Sequence, residues 1–399
     1  MKRIQLGNSV FEGENAVYLL ETGQTTLIDT GVATPDTREE LVTGLAAHGV
    51  AFEDVDRVFL THWHPDHAGL AGEIQAAGDA DVFVHEADAP LVDGSETAFA
   101  EDPDAQTAVF DRWGMPAEAR ERLRSFYAAV GRGLRGRDAI VTTFTDGDTV
   151  DIGGATLEAV HLPGHTAGLS AFAFDPRELP GGSDAADGGS DAVDGGSDSA
   201  DGGSDAVDGG SDAVDGGSDA ADGGPAASDR HEDGQRFAEA FTGDALLPRY
   251  TPNVGGADVR VDDPLGKYAD SLARIIERDW DVAHPGHRER IGDPSRRAAE
   301  ILDHHRHRTR RVLDVLADGP ATAWEVSAAL FGELEAIHIL HGPGEAFAHL
   351  DHLAAAGVVE RDGNAYRLVE TRADDDEQLE VSGQFPTTRL DGVVDGADG

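Results

Sequence analysis

Cysteine is absent from the 399-residue chain, and its absence removes several kinds of chemistry. The protein can form no disulfide, has no thiolate nucleophile and cannot hold a metal ion through sulfur. No apolar run approaches the roughly 18 residues that a membrane-spanning helix needs. The N-terminal stretch MKRIQLGNSVFEGEN also lacks the apolar segment of a secretory signal. We therefore expect a soluble, cytoplasmic protein with no membrane partner, in which any metal is bound by histidine and carboxylate.

Lysine is nearly absent as well. Lys2 and Lys267 are the only lysines among 31 basic residues, and 77 acidic residues give a formal net charge of −46. The acidic residues are spread along the chain rather than gathered in one tail. Concentrated salt screens such a charge, because the Debye length falls to ~3 Å at 1 M. This composition is typical of proteins from salt-loving archaea, so we predict a halophilic protein and infer no partner from its charge.

Residues 181–229 repeat a seven-residue unit of the form GGSDAxD. The few apolar residues of the unit are alanine and valine, which bury too little surface to offset the entropy lost on ordering. We predict a disordered acidic insertion. The flanking stretches, LSAFAFD at 169–175 and RFAEAFTGD at 236–244, alternate as strands do. The insertion is therefore placed at the tip of a β-hairpin, where added residues are tolerated.

Residues 1–291 alternate strand patterns with helical patterns. VYLLE at 17–21 and TTLIDTG at 25–31 predict two paired strands, and DRVFLTH at 56–62 predicts a buried strand. Residues 104–135 have a helical pattern. Such alternation predicts an α/β fold, arranged as an αββα sandwich of two sheets between helices.

The pattern changes at residue 292 and becomes mainly helical. Three helices and a hairpin, the parts of a winged-helix domain, are predicted over residues 292–370, and residues 371–399 are predicted to be a disordered acidic tail. On the first of these helices we place His304, His305 and His307 on the solvent-exposed face. The predicted elements are helices at 293–318, 322–332 and 344–357, and the hairpin at 358–369.

The stretch THWHPDHAG at 61–69 contains three histidines and one aspartate within six residues. Imidazole and carboxylate groups are ligands for divalent metals, and this loop follows a predicted strand, where α/β proteins place their ligands. One ion needs three or four ligands, and we expect the four in this loop to be divided between two ions. Distant loops that follow strands offer the rest, namely His165 in HLPGHTAG, Asp244 in FTGD and His287 in AHPGH.

These motifs, taken together and in this order, resemble those of the metallo-β-lactamase superfamily, and LIDTG at 27–31 resembles its first motif. The resemblance covers residues 1–291, which would form the catalytic domain, and it implies two bound metal ions. Asp29 would orient the ligand loop through hydrogen bonds. The implied ligands are His62, His64 and His165 for the first ion, Asp66, His67 and His287 for the second, and Asp244 as a bridge.

The resemblance also implies the chemistry. Two zinc ions suit this set of ligands, with iron or manganese as alternatives. Such a pair lowers the pKa of a shared water toward ~7 and so supplies a bridging hydroxide that attacks a carbonyl carbon or a phosphorus. Asp66 is assigned a second role as the catalytic residue that orients this nucleophile or accepts its proton.

Several functions remain open at this point. We expect a hydrolase of a small thioester or ester, similar to hydroxyacylglutathione hydrolases, with Asn253, Gly255 and Gly256 contacting a small-molecule substrate. The alternative is a metal-dependent endoribonuclease or phosphodiesterase, in which the winged helix contacts single-stranded RNA. A DNA-binding regulator without activity and a mononuclear iron dioxygenase that uses His62, His165 and Asp244 are further hypotheses.

Overall fold

The computed structural model describes residues 1–7, 13–130, 134, 136–180 and 237–369. The repeat at 181–229 and the tail at 371–399, both predicted to be disordered, lie outside the described residues. Two large sheets, one small sheet and ten α-helices are present in the described ranges.

Six strands form the first sheet and lie in it in sequence order. They are Lys2–Leu6 (β1), Asn15–Glu21 (β2), Thr25–Ile28 (β3), Arg57–Phe59 (β4), Asp81–His85 (β5) and Val141–Phe144 (β6). β1 to β3 pair antiparallel, which confirms the predicted pairing of β2 with β3, and β3 to β6 are parallel. The carboxyl ends of the parallel strands therefore meet at one edge of the sheet.

Five strands form the second sheet in the order β11-β10-β9-β8-β7. They are Thr149–Asp151 (β7), Thr156–His161 (β8), Ser170–Phe174 (β9), Glu239–Gly243 (β10) and Val282–Pro285 (β11). β9 and β10 border the acidic repeat, and they pair antiparallel with Phe174 opposite Glu239. This pairing agrees with the hairpin predicted from the two flanking sequences.

Most helices of the described ranges either pack on the outer faces of the two sheets or contribute side chains to a C-terminal core. The helices are Pro35–Ala46 (α1), Pro65–Ala68 (α2), Ala71–Gly78 (α3), Ala89–Val92 (α4), Pro103–Trp113 (α5), Ala117–Val130 (α6), Pro264–Arg278 (α7), Pro294–Ala317 (α8), Ala323–Phe331 (α9) and His338–Ala355 (α10). Among the helices of the described ranges, none combines the length and apolar composition that crossing a membrane requires.

Apolar side chains hold the layers together. Side chains of both sheets, among them Phe59 and Phe172, fill the space between the sheets. The outer face of the first sheet packs on α1 and α3 through residues such as Leu41. The outer face of the second packs on α7 and α8 through Leu272 and Ile301. The protein is thus a mixed α/β molecule with the predicted αββα layers.

The C-terminal part contains α8, α9 and α10 and a small sheet. Its strands, Ala321–Thr322 (β12), Val359–Asp362 (β13) and Ala365–Leu368 (β14), lie in the order β12-β14-β13. The third helix was predicted to begin at 344, but α10 begins at His338 and contains Pro343. Burial of Ile339, Leu340 and Pro343 accompanies this earlier start, so tertiary packing outweighs the local signal of proline and glycine.

The apolar cores do not divide at residue 292. The first half of α8 contributes Ala298 and Ile301 to the core of the sandwich, whereas its second half contributes Val312 and Leu316 to a C-terminal core. That second core also contains side chains of α5 and α6, among them Trp113. One helix therefore belongs to both cores, and two helices from the N-terminal part complete the C-terminal one.

One of the three histidines of α8 that were predicted to be solvent-exposed is buried. His305 is buried, with 1% of its surface exposed, rather than lying on a solvent-exposed face. It lies 3.5 Å from His349 on α10 and 3.7 Å from the carboxylate of Glu345. The helix packs against α10 on this side, which the sequence of α8 alone could not indicate.

Candidate metal centre

The loop with the three histidines begins at the end of β4, at the carboxyl edge of the first sheet. β4 ends at Phe59, three residues before the predicted end at His62. The chain then turns, and Thr61 N donates a hydrogen bond of 2.8 Å to Asp29 Oδ1. Asp29 itself has a φ of +60°, a conformation that Asp tolerates better than most residues. The loop is thus attached to the segment after β3 by a buried carboxylate.

A short helix positions the second half of the motif. In α2, Pro65 is the first residue, and both Asp66 and His67 are buried. The carbonyl of His67 accepts hydrogen bonds from Thr30 N at 2.7 Å and from Thr30 Oγ1 at 2.8 Å. The side chain of His67 donates through Nδ1 to Asp29 Oδ2 at 2.8 Å. Its Nε2 is therefore the atom left for a metal.

Three histidine nitrogens converge on one point. His64 Nδ1 lies 3.0 Å from His62 Nε2 and 3.1 Å from His165 Nε2. The opposite nitrogens are hydrogen-bonded: His64 Nε2 donates to Ala257 O at 3.0 Å, and His165 Nδ1 donates to Asn253 O at 2.8 Å. Thr61 Oγ1 donates to Asp29 and so accepts from His62 Nδ1 at 3.1 Å.

These hydrogen bonds fix the tautomers, because each outward nitrogen carries the single proton of a neutral ring. The three inward nitrogens then carry lone pairs with no hydrogen between them, an arrangement that a cation would stabilise. Burial lowers the pKa of His62 well below its usual value and that of His64 to about 4. Burial also lowers the pKa of His165. Neutral imidazole is the form that binds a metal.

A second group lies beside the first. His287 Nε2 is 3.4 Å from Asp66 Oδ2, and His67 Nε2 is 3.8 Å from the same oxygen. His287 Nδ1 donates to Gly13 O at 2.7 Å, so its Nε2 also faces inward. Asp244 lies between the groups, with Oδ1 3.5 Å from both His67 Nε2 and His287 Nε2 and Oδ2 3.6 Å from His165 Nε2.

The inward atoms of this second group fit a bound cation. His67 Nε2, His287 Nε2 and Asp244 Oδ1 are buried and make no hydrogen bond within the described residues. Burial lowers the pKa of both histidines, but Asp244 and Asp66 outweigh it, raising the pKa of His287 to about 10 and that of His67 well above its usual value. A divalent ion would take the place of these protons, as metal binding generally releases protons from its ligands.

Two predicted ligands lie so close to the backbone of the PGH motif that position 286 has room only for glycine. A Cβ at this position would lie 2.5 Å from His67 Cε1 and 2.9 Å from Asp244 Oδ1. Any other residue would therefore push apart two of the predicted ligands. The glycine allows the loop after β11 to approach the loop after β4 closely enough for both to face the same ions.

The structure thus brings together all seven predicted ligands, and it places Asp29 directly behind them. Donor atoms close enough to hold one ion are found in three overlapping groups, namely His62, His64 and His165; His62, His67 and Asp244; and Asp66, His67 and His287. The carbonyls of Gly13, Asn253 and Ala257, which orient three of the histidines, were missed. No side-chain pattern in the sequence marks a carbonyl that accepts from a distant histidine.

Asn253, Gly255 and Gly256, which were predicted to contact a substrate, lie beside the metal centre, and Gly256 lines the cavity above it. Asn253 Nδ2 donates to His341 O and to Glu345 Oε2, both at 3.1 Å, and Asn253 Oδ1 accepts from Gly256 N at 3.1 Å. Gly255 packs against α10 and Gly256 against His341. These groups are used within the protein, so the Asn253 amide and the Gly256 N–H are not available to a substrate in this arrangement.

A buried acidic pair lies beside the metal centre and was also missed. Asp88 accepts hydrogen bonds from Trp63 N at 3.2 Å, Thr166 Oγ1 at 2.8 Å and Gly168 N at 2.9 Å. Arg260 bonds both Asp88, at 3.1 Å, and Asp258, at 2.7 Å. This cluster ties the loop that carries His62 and His64 to the loop that carries His165.

A cavity of about 860 Å³ opens over the two groups of ligands. Its floor includes His64, Asp66, His165 and Asp244, and its walls come from α6, the segment before α5 and the start of α10. Part of the helical segment predicted at 104–135 therefore covers the cleft. His341 of α10 also lines it, so the C-terminal part contributes directly to the site.

Comparison with known proteins agrees with this geometry. A sequence profile of the metallo-beta-lactamase superfamily matches residues 10–176, and a profile of the metallo-beta-lactamase-like C-terminal domain matches residues 309–370. Residues 10–176 thus match a domain of the metallo-β-lactamase superfamily.

Similar proteins extend over nearly the whole chain. The probable metallo-hydrolase YqjP of Bacillus subtilis is 25% identical over 355 residues, which cover 86% of this chain and 88% of the relative. A crystal structure of a metallo-beta-lactamase family protein from Thermus thermophilus superimposes with a TM-score of 0.65 at 26% identity, covering 92% of this chain and 98% of the other. A beta-lactamase domain protein from Burkholderia ambifaria has the same TM-score at 20% identity, covering 92% of each chain, and so shares the fold.

Proposed function

We propose that this protein is a dinuclear zinc hydrolase that acts on a small thioester or ester. The observation that carries the proposal is the convergence of His62, His64 and His165 through three nitrogens with no hydrogen between them. The spacing of the second group around Asp244 supports a second ion, and iron or manganese are the alternatives to zinc. The probable metallo-hydrolase from Bacillus subtilis, which aligns over most of both chains, supports the reaction type.

The residues of the chain have distinct roles in this proposal. Two zinc ions, when bound, supply a water that ionises near neutral pH and a positive charge beside the substrate carbonyl. Asp66 lines the cavity floor, and its Oδ2 lies 3.4 Å from Asn15 Nδ2. Its position allows it to orient a water by accepting a hydrogen bond and then to take the proton. Without bound ions, His67 and His287 on either side outweigh burial and lower the pKa of Asp66 to about 2, so its carboxylate is ionised and can accept a hydrogen bond from a water.

The test measures metal content and turnover on the same samples. Protein purified in about 2 M KCl, which screens its charge, is analysed for zinc, iron and manganese and assayed with a thioester and with labelled single-stranded RNA. We expect two zinc ions per chain and thioester turnover that His165→Ala abolishes. Glu39→Gln, at an exposed position of α1, is the matched control and should change neither quantity.

The role of Asp66 needs its own measurement, because this residue is also a predicted ligand. We expect Asp66→Asn to reduce kcat by at least about a hundredfold, the contribution typical of general acid–base catalysis, in samples that retain two ions. A variant with two ions and full turnover would remove the catalytic role and leave Asp66 as a ligand only.

The alternative is a metal-dependent endoribonuclease whose winged helix contacts single-stranded RNA. The arginines of α8 are the candidates for phosphate contacts, but several are engaged within the protein. Arg297 donates to Leu247 O at 2.8 Å, Arg308 pairs with Glu345, and Arg311 donates to Leu330 O at 3.0 Å. RNA cleavage without thioester turnover would establish this alternative, whereas one iron with oxygen uptake would indicate a dioxygenase.

The amino-acid composition supports a proposal about the environment in which the protein works. A net charge of −46 with two lysines supports a protein of a salt-adapted cytoplasm. Activity and metal content should therefore be compared in concentrated and dilute salt.

A further inference from the structure

The cavity over the candidate metal centre has a largely apolar wall. Its lining includes the apolar side chains Trp63, Leu91, Phe99, Phe126 and Ile337. Phe99, Phe126 and Ile337 are partly buried and pack against the C-terminal core. Because each is held on its outer side by that core, the aromatic and aliphatic surfaces that face the cavity have a fixed position.

The size of the cavity exceeds what the reaction itself requires. At about 860 Å³ it lies near the upper end of cavities that bury drug-sized ligands, which span roughly 300–1,000 Å³. An ester or thioester carbonyl needs to reach only the floor, where His64, Asp66 and His165 lie. The remaining volume is bounded by the apolar wall and is available to the rest of the substrate.

The charges around the cavity disfavour an anionic substrate. The carboxylates on its lining include Glu96, Glu101 and Asp102, in addition to those of the metal centre. Among the described residues of the lining, the cations are Arg124 and Arg260, and Arg260 is paired with Asp258 at 2.7 Å and Asp88 at 3.1 Å. A phosphate or carboxylate held away from the metal ions would find, among the described lining residues, acidic neighbours and one arginine outside the Asp88–Asp258 cluster.

We propose that the cavity takes a substrate with a bulky, uncharged, apolar group, an acyl chain of six or so carbons or an aryl group, attached to the reacting carbonyl. This inference rests on the proposed hydrolase function and names the substrate class. Thioesters with small acyl groups are poor substrates, because a small acyl group leaves the apolar wall uncovered. Thioesters of anionic thiol carriers are also poor substrates, because the carrier places negative charge among carboxylates.

The first experiment measures selectivity on zinc-loaded full-length protein. Acetyl, butyryl, hexanoyl and benzoyl thioesters of the neutral thiol N-acetylcysteamine are compared with the same acyl groups on coenzyme A and on glutathione. We expect kcat/KM to rise about fourfold for each buried methylene, and to be higher for the neutral carrier at equal acyl group. A flat or falling series, or a preference for either anionic carrier, would overturn the inference while leaving the hydrolase function intact.

A substitution in the apolar wall tests whether this wall causes the preference for longer acyl groups. Phe126→Ala should reduce the hexanoyl-to-acetyl ratio of kcat/KM at least about fivefold, since it removes an aromatic surface from the cavity. Ile140→Ala is the matched control: Ile140 is 85% exposed, and the residues of the cavity lining do not include it. An unchanged ratio in Phe126→Ala, or an equal loss in both variants, would contradict the placement.

A binding measurement keeps the inference testable if no thioester is hydrolysed. The neutral apolar dye 1-aminoanthracene is titrated into metal-free wild-type protein and displaced with hexanamide and with acetamide. We expect dye binding that Phe126→Ala weakens and that hexanamide displaces at much lower concentration than acetamide. Turnover failure with selective displacement would reject the hydrolase proposal but retain the apolar site, and absence of dye binding in wild-type protein would reject the site.

Discussion

Asp29 lies behind the candidate metal centre and contacts both halves of the ligand loop. Its Oδ1 accepts from Thr61 N, and its Oδ2 accepts from Thr61 Oγ1 and His67 Nδ1. Thr61 in turn accepts from His62. One carboxylate therefore fixes the tautomer and the ring orientation of His67 directly and of His62 through a hydroxyl, the role that such outer partners have in metal sites.

Asp29→Asn separates these two contacts. The amide oxygen of Asn can still accept from Thr61 N, and Asn also tolerates the positive φ, but its NH2 group cannot accept from His67 Nδ1. We expect the affinity for the ion at His67 to fall about 10–100-fold, with a smaller loss for the ion at His62. Competition with a zinc chelator measures both, and Glu39→Gln is the control. Equal affinities in the variant and the wild type would show that Asp29 only supports the turn.

Asp88 illustrates a different use of a buried carboxylate. Burial and the neighbouring Asp258 raise its pKa to about 7, against the opposing effect of Arg260. Burial would also raise the pKa of Asp258, but Arg260 outweighs it and lowers that pKa. Two carboxyl groups share one guanidinium, so the cluster is neutral overall when Asp88 is protonated.

This protonation makes stability depend on pH. In the unfolded chain Asp88 ionises near pH 4, whereas in the folded protein it stays protonated up to about pH 7. A raised pKa in the folded state means that its contribution to stability is present below pH 4 and is lost as the pH rises to 7. Asp88→Asn removes that titration. We expect the Tm of the variant minus that of the wild type to increase from pH 4 to pH 7, measured on metal-free protein in concentrated salt. A constant difference would mean that Asp88 is ionised throughout.

At the scale of secondary-structure elements, α10 is connected to the metal centre through Glu345. Its carboxylate accepts from Asn253 Nδ2 at 3.1 Å and from Val254 N at 3.3 Å, and it pairs with Arg308 of α8. The carbonyl of Asn253 accepts from His165 Nδ1 at 2.8 Å. A buried residue of the C-terminal part thus holds the loop that orients a predicted ligand.

Glu345→Ala should weaken this positioning. The change removes the acceptor of Val254 N, the carboxylate paired with Arg308 and one of the two acceptors of the Asn253 amide. A buried donor left without an acceptor costs about 1–3 kcal/mol, and more when it is charged. We expect zinc affinity to fall about tenfold together with Tm, and Glu345→Gln to restore part of the affinity, because its amide oxygen can still accept from Asn253. Glu335→Ala, an exposed glutamate just before α10, is the control. Loss of Tm in Glu345→Ala with unchanged zinc affinity would limit Glu345 to a structural role.

The sequence predicts best those features that are determined by residues close together in the chain. The loop at 61–69 contains its own four ligands, and β2 and β9 are buried along nearly their whole length, so their positions follow from short stretches. The exposure of His305 and the start of the third C-terminal helix were predicted incorrectly because their surroundings come from elements far away in the chain. The burial of His305 requires the packing of α8 against α10, which no local pattern contains.

At the scale of the whole molecule, the two parts of the chain share their interior. Side chains of α5 and α6 complete the C-terminal core, and Ile337 and His341 complete the cavity over the metal centre. Removing the C-terminal part would expose that core and open the cavity. Point variants such as Glu345→Ala are for this reason a cleaner test of its contribution than truncation.

The net charge of −46 acts on the molecule as a whole. Folding brings carboxylates closer together, so their repulsion favours the expanded chain, and salt weakens this repulsion as the Debye length falls from ~10 Å at 0.1 M to ~3 Å at 1 M. We expect the Tm of metal-free protein to rise steeply with KCl up to about 1 M and then to level off, because beyond this the charges are already screened. Sorbitol at equal osmolality is the control, since it acts on hydration without screening charge, and it should produce a much smaller rise. Equal effects of KCl and sorbitol would mean that charge repulsion does not limit the stability of this acidic protein.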